Sequence, residues 1–394
     1  MKPHNSGLFS LFANRRLWRG SFPWVIIALV LVNLLIFHRG QGLKERRLGN
    51  LMVSHLQFSA KPLFDLSTGN NANQYWHTIP DATSTPLVYL VGMSQMHAIN
   101  DFKPGDKIIS ELLDEKLSPK GVRVYGFSAP NMSGEEALFL LIAAMSDPKT
   151  SPAAFIYAVC FDTFRFMDLR PGYMNLMREK PGVEPLWRSS AKDYLDKYPL
   201  AAEKMLDTLS EIKKEKDNTR EDTLESRLRN FAGNWLPLVS ARQELYSEFL
   251  QKIYLLRNWL FNIKNTDKRP ILKYRYDLNV QFLKMLTELA QKNNIKIIFY
   301  VVPLNPLADN PYVAGQYLDF KKWLEELCCE RRIPFANFEN EVPHEYWGKF
   351  LGGPDFKHFK EEGHILTANA ILRQFGSSIL NLKAPKLKTA KLRD

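Results

Sequence analysis

Five short apolar runs, each followed by a segment with helical spacing, limit this chain to few folds. Residues 87–91, 122–127, 154–160 (AFIYAVC), 295–302 (IKIIFYVV) and 333–338 are the predicted strands. A run with few polar residues on either alternate is covered on both faces, as strands in parallel sheets are. Helical spacing fills the gaps. Ile108, Ile109, Leu112 and Leu113 mark one helix, and an S-x-x-E capping box at Ser133 opens another that runs to about Met145. Leu278, Phe282, Leu286 and Leu289 mark a third. Phe320, Trp323, Leu324 and Leu327 mark a fourth, and the last runs from Glu361 to about Leu382. This alternation predicts an α/β fold, a doubly wound parallel five-stranded sheet. Ligand sites in such sheets lie outside the carboxyl ends of the strands. The loops there are 92–95, 126–131, 161–165, 303–305 and 352–358.

The flanking segments set the expected organisation. Residues 22–37 (FPWVIIALVLVNLLIF) are uncharged and almost wholly apolar. With Leu17 and Trp18 they approach the length of a membrane span. The sequence that follows, HRGQGLKERR, offers no small-residue cleavage pattern. The expectation is therefore a cytoplasmic tail and transmembrane signal anchor at 1–39. A juxtamembrane linker follows at 40–80, with one helix near 51–58. The fold-bearing domain covers 81–394, on the extracytoplasmic side of a bacterial membrane. A Lys- and Glu-rich helical insertion is expected at about 163–275, with apolar helical spacing at 195–212 and 245–261. The net charge of +11 owes five basic residues to 1–39, where no acidic residue occurs. No basic stripe interleaves with aromatics, so nucleic acid is not an expected partner. The three cysteines, Cys160, Cys328 and Cys329, form neither a disulfide framework nor a metal-ligand spacing.

The chemistry candidates sit at the two ends of the alternation. Ser94 follows the first strand. Asp355 and His358 share a D-x-x-H segment directly before the final helix. A serine hydroxyl needs a base, and a histidine serves when a carboxylate fixes its tautomer. An α/β-hydrolase would show G-x-S-x-G around the serine and a distant Asp and His, but here Gln95 and Met96 follow Ser94. His97 and His364 read as packing residues. Asp162 and Arg165 read either as contacts for an anionic substrate or as a structural ion pair.

With Gly92-Met93-Ser94 at one end and Asp355-Phe-Lys-His358, then Gly363 and a helix, at the other, the chain resembles the SGNH/GDSL hydrolase superfamily over about 86–162 and 277–380. The resemblance implies a Ser94–His358–Asp355 triad and an acyl-serine intermediate, with no metal or cofactor. It departs from the family pattern at three places. Met93 stands where an aspartate is usual, Ser128 at or near the oxyanion glycine, and Phe161 at the oxyanion asparagine. Asn131 and Asn305 are the alternative donors, and Asp162 is a further substrate candidate. The anchor and G-x-S block are similar to those of membrane-anchored acylation proteins of the cell envelope, such as the teichoic acid D-alanine transfer and alginate acetylation proteins. That likeness implies an esterase or acyltransferase acting on an envelope polysaccharide beside a membrane-bound O-acyltransferase. The other reading is a degenerate fold that binds glycan or scaffolds the acyltransferase.

Overall fold

The computed structural model describes residues 78–217 and 267–384 apart from 80, 83, 98, 100, 101, 104, 351 and 352, together with residue 31 and stretches at 46–48, 52–54 and 63–65. The expected anchor at 22–37 lies outside the described residues except for Leu31, and so does the helical spacing at 245–261. Among the described residues no helix is long and apolar enough to cross a membrane. The chain divides into two units, Met1–Lys44 with Asp217–Asn262, and Glu45–Lys216 with Ile263–Asp394. The sheet and its helices belong to the second unit, save the last residue of one helix.

The sheet follows from the alternating apolar pattern. Its main strands are β4 (Leu87–Gly92), β5 (Arg123–Ser128), β6 (Ala154–Val159), β7 (Lys296–Val301) and β8 (Phe335–Asn337). A two-residue strand, β3 (Phe64–Asp65), extends one edge. All pair in parallel, in the order β3-β5-β4-β6-β7-β8. Two antiparallel pairs stand outside it: β1 (Arg46–Leu48) with β2 (Met52–Ser54), and β9 (Trp347–Phe350) with β10 (Gly353–Phe359). The helix expected near 51–58 is thus strand at Met52–Ser54. The hydrogen bonds of a neighbouring strand override a weak local helical pattern there.

Successive side chains leave a strand on opposite faces, and both faces here are buried. Tyr89 and Val91 of β4, Phe155 and Tyr157 of β6, and Ile297 and Phe299 of β7 enter one core. Val88 and Leu90, Ile156 and Ala158, and Ile298 and Tyr300 enter the other. The first core is covered by α2 (Gly134–Met145), α3 (Pro171–Glu179), α4 (Val183–Asp193), α5 (Pro199–Asp217), α6 (Lys273–Lys292) and α7 (Ala314–Glu330), the second by α1 (Ile109–Leu117) and α8 (Glu361–Leu380). Helices on both faces make the sheet doubly wound, as the sequence predicts. The first part of the expected insertion, 171–217, is helical, with Tyr173, Trp187 and Met205 in the first core.

The predicted capping box forms. Ser133 Oγ accepts from Glu136 N at 3.2 Å, and Glu136 Oε2 accepts from Ser133 N at 2.9 Å. Two glycines permit the approaches that set up the site. A Cβ on Gly92 would lie 2.8 Å from the Ala158 Cβ on the adjacent strand, where β4 turns away from the sheet. A Cβ on Gly363 would lie 2.5 Å from the Phe359 Cβ, where α8 starts against the strand that carries His358.

Candidate active site

β4 ends at Gly92, and the chain enters a single 3-10 turn, Ser94–Met96, capped by Met93. Ser94 is therefore the first residue of the turn and not its cap. Met93 points into the second core, so the position where the resemblance implies an aspartate is apolar packing here. Gln95 pins the turn from below. Its Nε2 donates to Pro303 O at 2.8 Å and to Lys357 O at 2.9 Å, joining the turn after β4 to the end of β7 and to β10. Gln95 carries no signal in the sequence, since both its acceptors are backbone carbonyls more than 200 residues away.

Asp355 and His358 lie on β10 of a hairpin, not in a loop as expected. Pro354, the interleaved polar residues and the irregular pairing with β9 hide the strand from its pattern. The two ends of the chain nonetheless meet as the spacing suggests. Ser94 Oγ is 2.9 Å from His358 Nε2, and His358 Nδ1 is 2.9 Å from Asp355 Oδ2. All three side chains are at least nine-tenths buried. Asp355 Oδ1 accepts from the backbone N–H groups of Lys357 at 3.0 Å and His358 at 3.2 Å. Burial raises the Asp355 pKa, but the His358 charge and these hydrogen bonds outweigh it and hold the carboxyl below its ordinary value. The proton between Asp355 and His358 thus belongs to the imidazole Nδ1, which leaves Nε2 as the acceptor facing Ser94.

The remaining candidates divide by what they bond. Asn305 is bonded at both ends of its amide. Its Nδ2 donates to Asp355 O at 2.9 Å and its Oδ1 accepts from Leu307 N at 3.1 Å. It therefore braces the acid-bearing hairpin. Ser128 is wholly buried at the end of β5, hydrogen-bonded to His97 Nε2. Phe161 packs among Tyr312, Tyr317 and Phe320, away from any polar role. His364, on α8, is buried and accepts from Ile109 N at 3.3 Å. Burial, with the charges of His358 and His97, pushes its pKa down to about 3, so it stays neutral.

Asn131 and Asp162 come together through Lys357, a residue that carries no signal of its own inside the D-x-x-H segment. Lys357 Nζ donates to Asn131 Oδ1 at 2.7 Å and to Asp162 Oδ2 at 2.8 Å. An ammonium has donors only, so it fixes the Asn131 amide with its oxygen inward. Asn131 sits in the left-handed region at φ 49°. Arg170, paired with Glu136, holds this turn by donating to Pro130 O at 2.6 Å. The Asn131 Nδ2 makes no hydrogen bond among the described residues. Burial raises the Asp162 pKa, but the Lys357 and Arg269 charges bring it down to about 2.

No family model matches the sequence, and no curated protein does. Among solved structures, the fold aligns with a GDSL-like lipase from Bacteroides thetaiotaomicron at 13% identity and a TM-score of 0.34, covering 78% of this chain and 98% of that one. It also aligns with a protein from Bacteroides fragilis described as an acylhydrolase, at 10% identity and a TM-score of 0.32, covering 79% of this chain and all of the other. Likeness at this level says nothing of activity. The functional reading rests on the sheet order and the Ser94–His358–Asp355 geometry.

Proposed function

We propose that this chain is an SGNH-type serine esterase or acyltransferase that acts on O-acyl esters. The observation that carries the reading is the continuous hydrogen-bonded line from Ser94 Oγ through His358 to Asp355, at 2.9 Å for each link. Ser94 Oγ attacks the ester carbonyl as His358 Nε2 takes its proton. The tetrahedral intermediate collapses, the proton passes to the departing alkoxide, and an acyl-Ser94 ester remains. Water or an acceptor hydroxyl then attacks, giving its proton to His358, and Ser94 is released. Asn131 Nδ2 is the oxyanion donor in this reading, because Ser128, Asp162 and Asn305 are engaged elsewhere and Phe161 has no donor.

The finer reading places the enzyme at a bacterial inner membrane, anchored through 22–37, with the sheet domain on the extracytoplasmic side. Its substrate there is an envelope polysaccharide, and its partner is a membrane-bound O-acyltransferase. The uncharged apolar run and the G-x-S block support this placement. A second reading, a non-catalytic glycan-binding scaffold, draws on Phe161, whose side chain replaces a polar group of the site with core packing.

A fluorophosphonate probe separates the two. The full chain labels at Ser94, Ser94→Ala abolishes labelling, and His358→Ala slows it strongly. A folded wild type that stays unlabelled overturns the enzyme reading.

A further inference from the structure

Two cationic side chains pair with one carboxylate beside the triad, and two more arginines lie near them. β4 and β6 pair with Val91 opposite Tyr157, so Ser94 and Asp162 both emerge past the same edge of the sheet. Asp162 Oδ2 accepts from Lys357 Nζ at 2.8 Å and Arg269 Nη1 at 2.9 Å. Lys357 adjoins His358 in the chain. The Arg269 guanidinium lies 5.4 Å from the ring centre of Phe356, which adjoins Asp355. Its backbone is held as well, with Arg269 N donating to Pro311 O at 2.7 Å. Arg275 Nη1 donates to Arg165 O at 3.0 Å, which brings a second guanidinium near a third, that of Arg165.

One carboxylate serves two of these charges. Lys357 is buried and satisfied by Asp162 and Asn131. Arg269 shares the same carboxylate oxygen but keeps 29% of its side chain exposed. The Arg165 side chain makes no hydrogen bond or ion pair among the described residues, although it is half-buried. The charges acting on Arg165 include one carboxylate, Asp162, against the guanidiniums of Arg269 and Arg275, and burial with that repulsion lowers its pKa. Like charges brought this close are unfavourable, and a bound anion relieves the repulsion while filling the planar donor forks.

We propose that Arg165, Arg269 and Arg275 form an oxyanion-binding subsite beside Ser94, which selects esters whose substrate carries a carboxylate or phosphate group. The proposal deepens the esterase reading and rests on it for the identity of the ester. The three arginines recognise the charged group while Ser94 meets the acyl carbonyl.

The test uses the full chain carrying Ser94→Ala, where binding is read without turnover. Methyl 4-acetoxybenzoate, 4-acetoxybenzoate and 4-acetoxyphenyl phosphate are titrated by calorimetry. The anionic esters bind at least tenfold tighter than the neutral one, and the tighter of the two identifies carboxylate or phosphate as the group recognised. Arg165→Gln and Arg275→Gln each lower that preference about tenfold, the scale of one charge-assisted contact, whereas Arg165→Lys retains part of it. The preference also weakens as salt rises. Equal affinity for neutral and anionic esters, no measurable binding of any, or a preference unmoved by both glutamine substitutions overturns the subsite. The same esters given to the wild-type chain test the esterase reading separately: turnover of all three at equal kcat/KM leaves the enzyme standing without this subsite.

Discussion

Asp355→Asn tests the proposed chemistry with little change in shape. Asp355 Oδ1 accepts two backbone N–H groups, from Lys357 and His358, while Oδ2 faces His358 Nδ1 at 2.9 Å. An asparagine has one acceptor oxygen and one donor nitrogen. The two backbone donors demand the oxygen, so the amide nitrogen must face the imidazole. His358 Nδ1 then becomes an acceptor, and its proton moves to Nε2, where it points at Ser94 Oγ. In that tautomer His358 cannot take the serine proton. A serine protease whose triad aspartate is replaced by asparagine loses roughly 10,000-fold in kcat for this reason. The same tautomer argument puts the loss here on that order, about 5 kcal/mol in the barrier. Folding is spared, because the backbone N–H groups keep their acceptor. The assay is kcat for 4-nitrophenyl acetate beside thermal denaturation. Asp355→Asn with kcat within tenfold of wild type refutes both the tautomer assignment and the triad.

Two further outcomes concern neighbouring groups. Asn131→Asp keeps an oxygen for Lys357 Nζ and removes the amide donor. It lowers kcat about 100- to 1000-fold with KM little changed if Asn131 holds the oxyanion, and kinetics within threefold of wild type dismiss that role. Glu135 is wholly buried, with Oε1 accepting from Thr208 Oγ1 at 3.0 Å. Burial foremost raises its pKa to about 8, against the lowering effects of Lys204 and Thr208. The folded state therefore keeps a proton that the unfolded chain releases near its ordinary pKa of 4.5, and stability falls as pH rises from there to about 8. Glu135→Gln removes that fall and stabilises the chain at pH 8 by at most about 5 kcal/mol, read by chemical denaturation at pH 5 and pH 8. Equal loss of stability in variant and wild type between those pH values shows that Glu135 is not the group responsible.

The parts of this molecule legible in its sequence are those built by local pattern. The runs around Val88 and Ile298 are apolar on both alternates, so their burial between two helical layers follows directly. The Ser133 capping box and the placement of Ser94 past the first strand follow from neighbours three residues away or fewer. Asp355 and His358 are visible as a pair for the same reason, although their hairpin is not. The polar surroundings are hidden because their partners are remote. Lys357 reaches Asp162 across 195 positions and Asn131 across 226. No periodicity records such a contact, and a lysine in that segment reads as an exposed residue until the fold buries it. Arg269 is hidden likewise, near the end of the expected helical insertion, until its backbone bond to Pro311 O and its pair with Asp162 place it at the site.

The three residues at which the sequence departs from the pattern it resembles are all packed or bonded inside the fold. Met93 and Phe161 enter packed cores, and Ser128 closes on a buried histidine. Met93 and Phe161 put apolar packing where a polar side chain is usual, and Ser128 adds a hydroxyl that is hydrogen-bonded, so none leaves an unsatisfied group. The polar groups that remain are buried at a cost, since a buried ion pair is often no more stabilising than apolar residues of similar volume. A scaffold gains nothing in stability from a carboxylate, an imidazole and a hydroxyl aligned at 2.9 Å spacing, nor from placing Lys357 between Asp162 and Asn131. An acyl-transfer site uses all of them: the line of proton acceptors activates Ser94, and the clamped amide of Asn131 leaves a donor for the oxyanion. The same economy separates the readings experimentally. A scaffold tolerates replacement of the Ser94–His358–Asp355 set by apolar residues of matching volume with function intact, whereas an enzyme gains stability from such a change and loses all turnover.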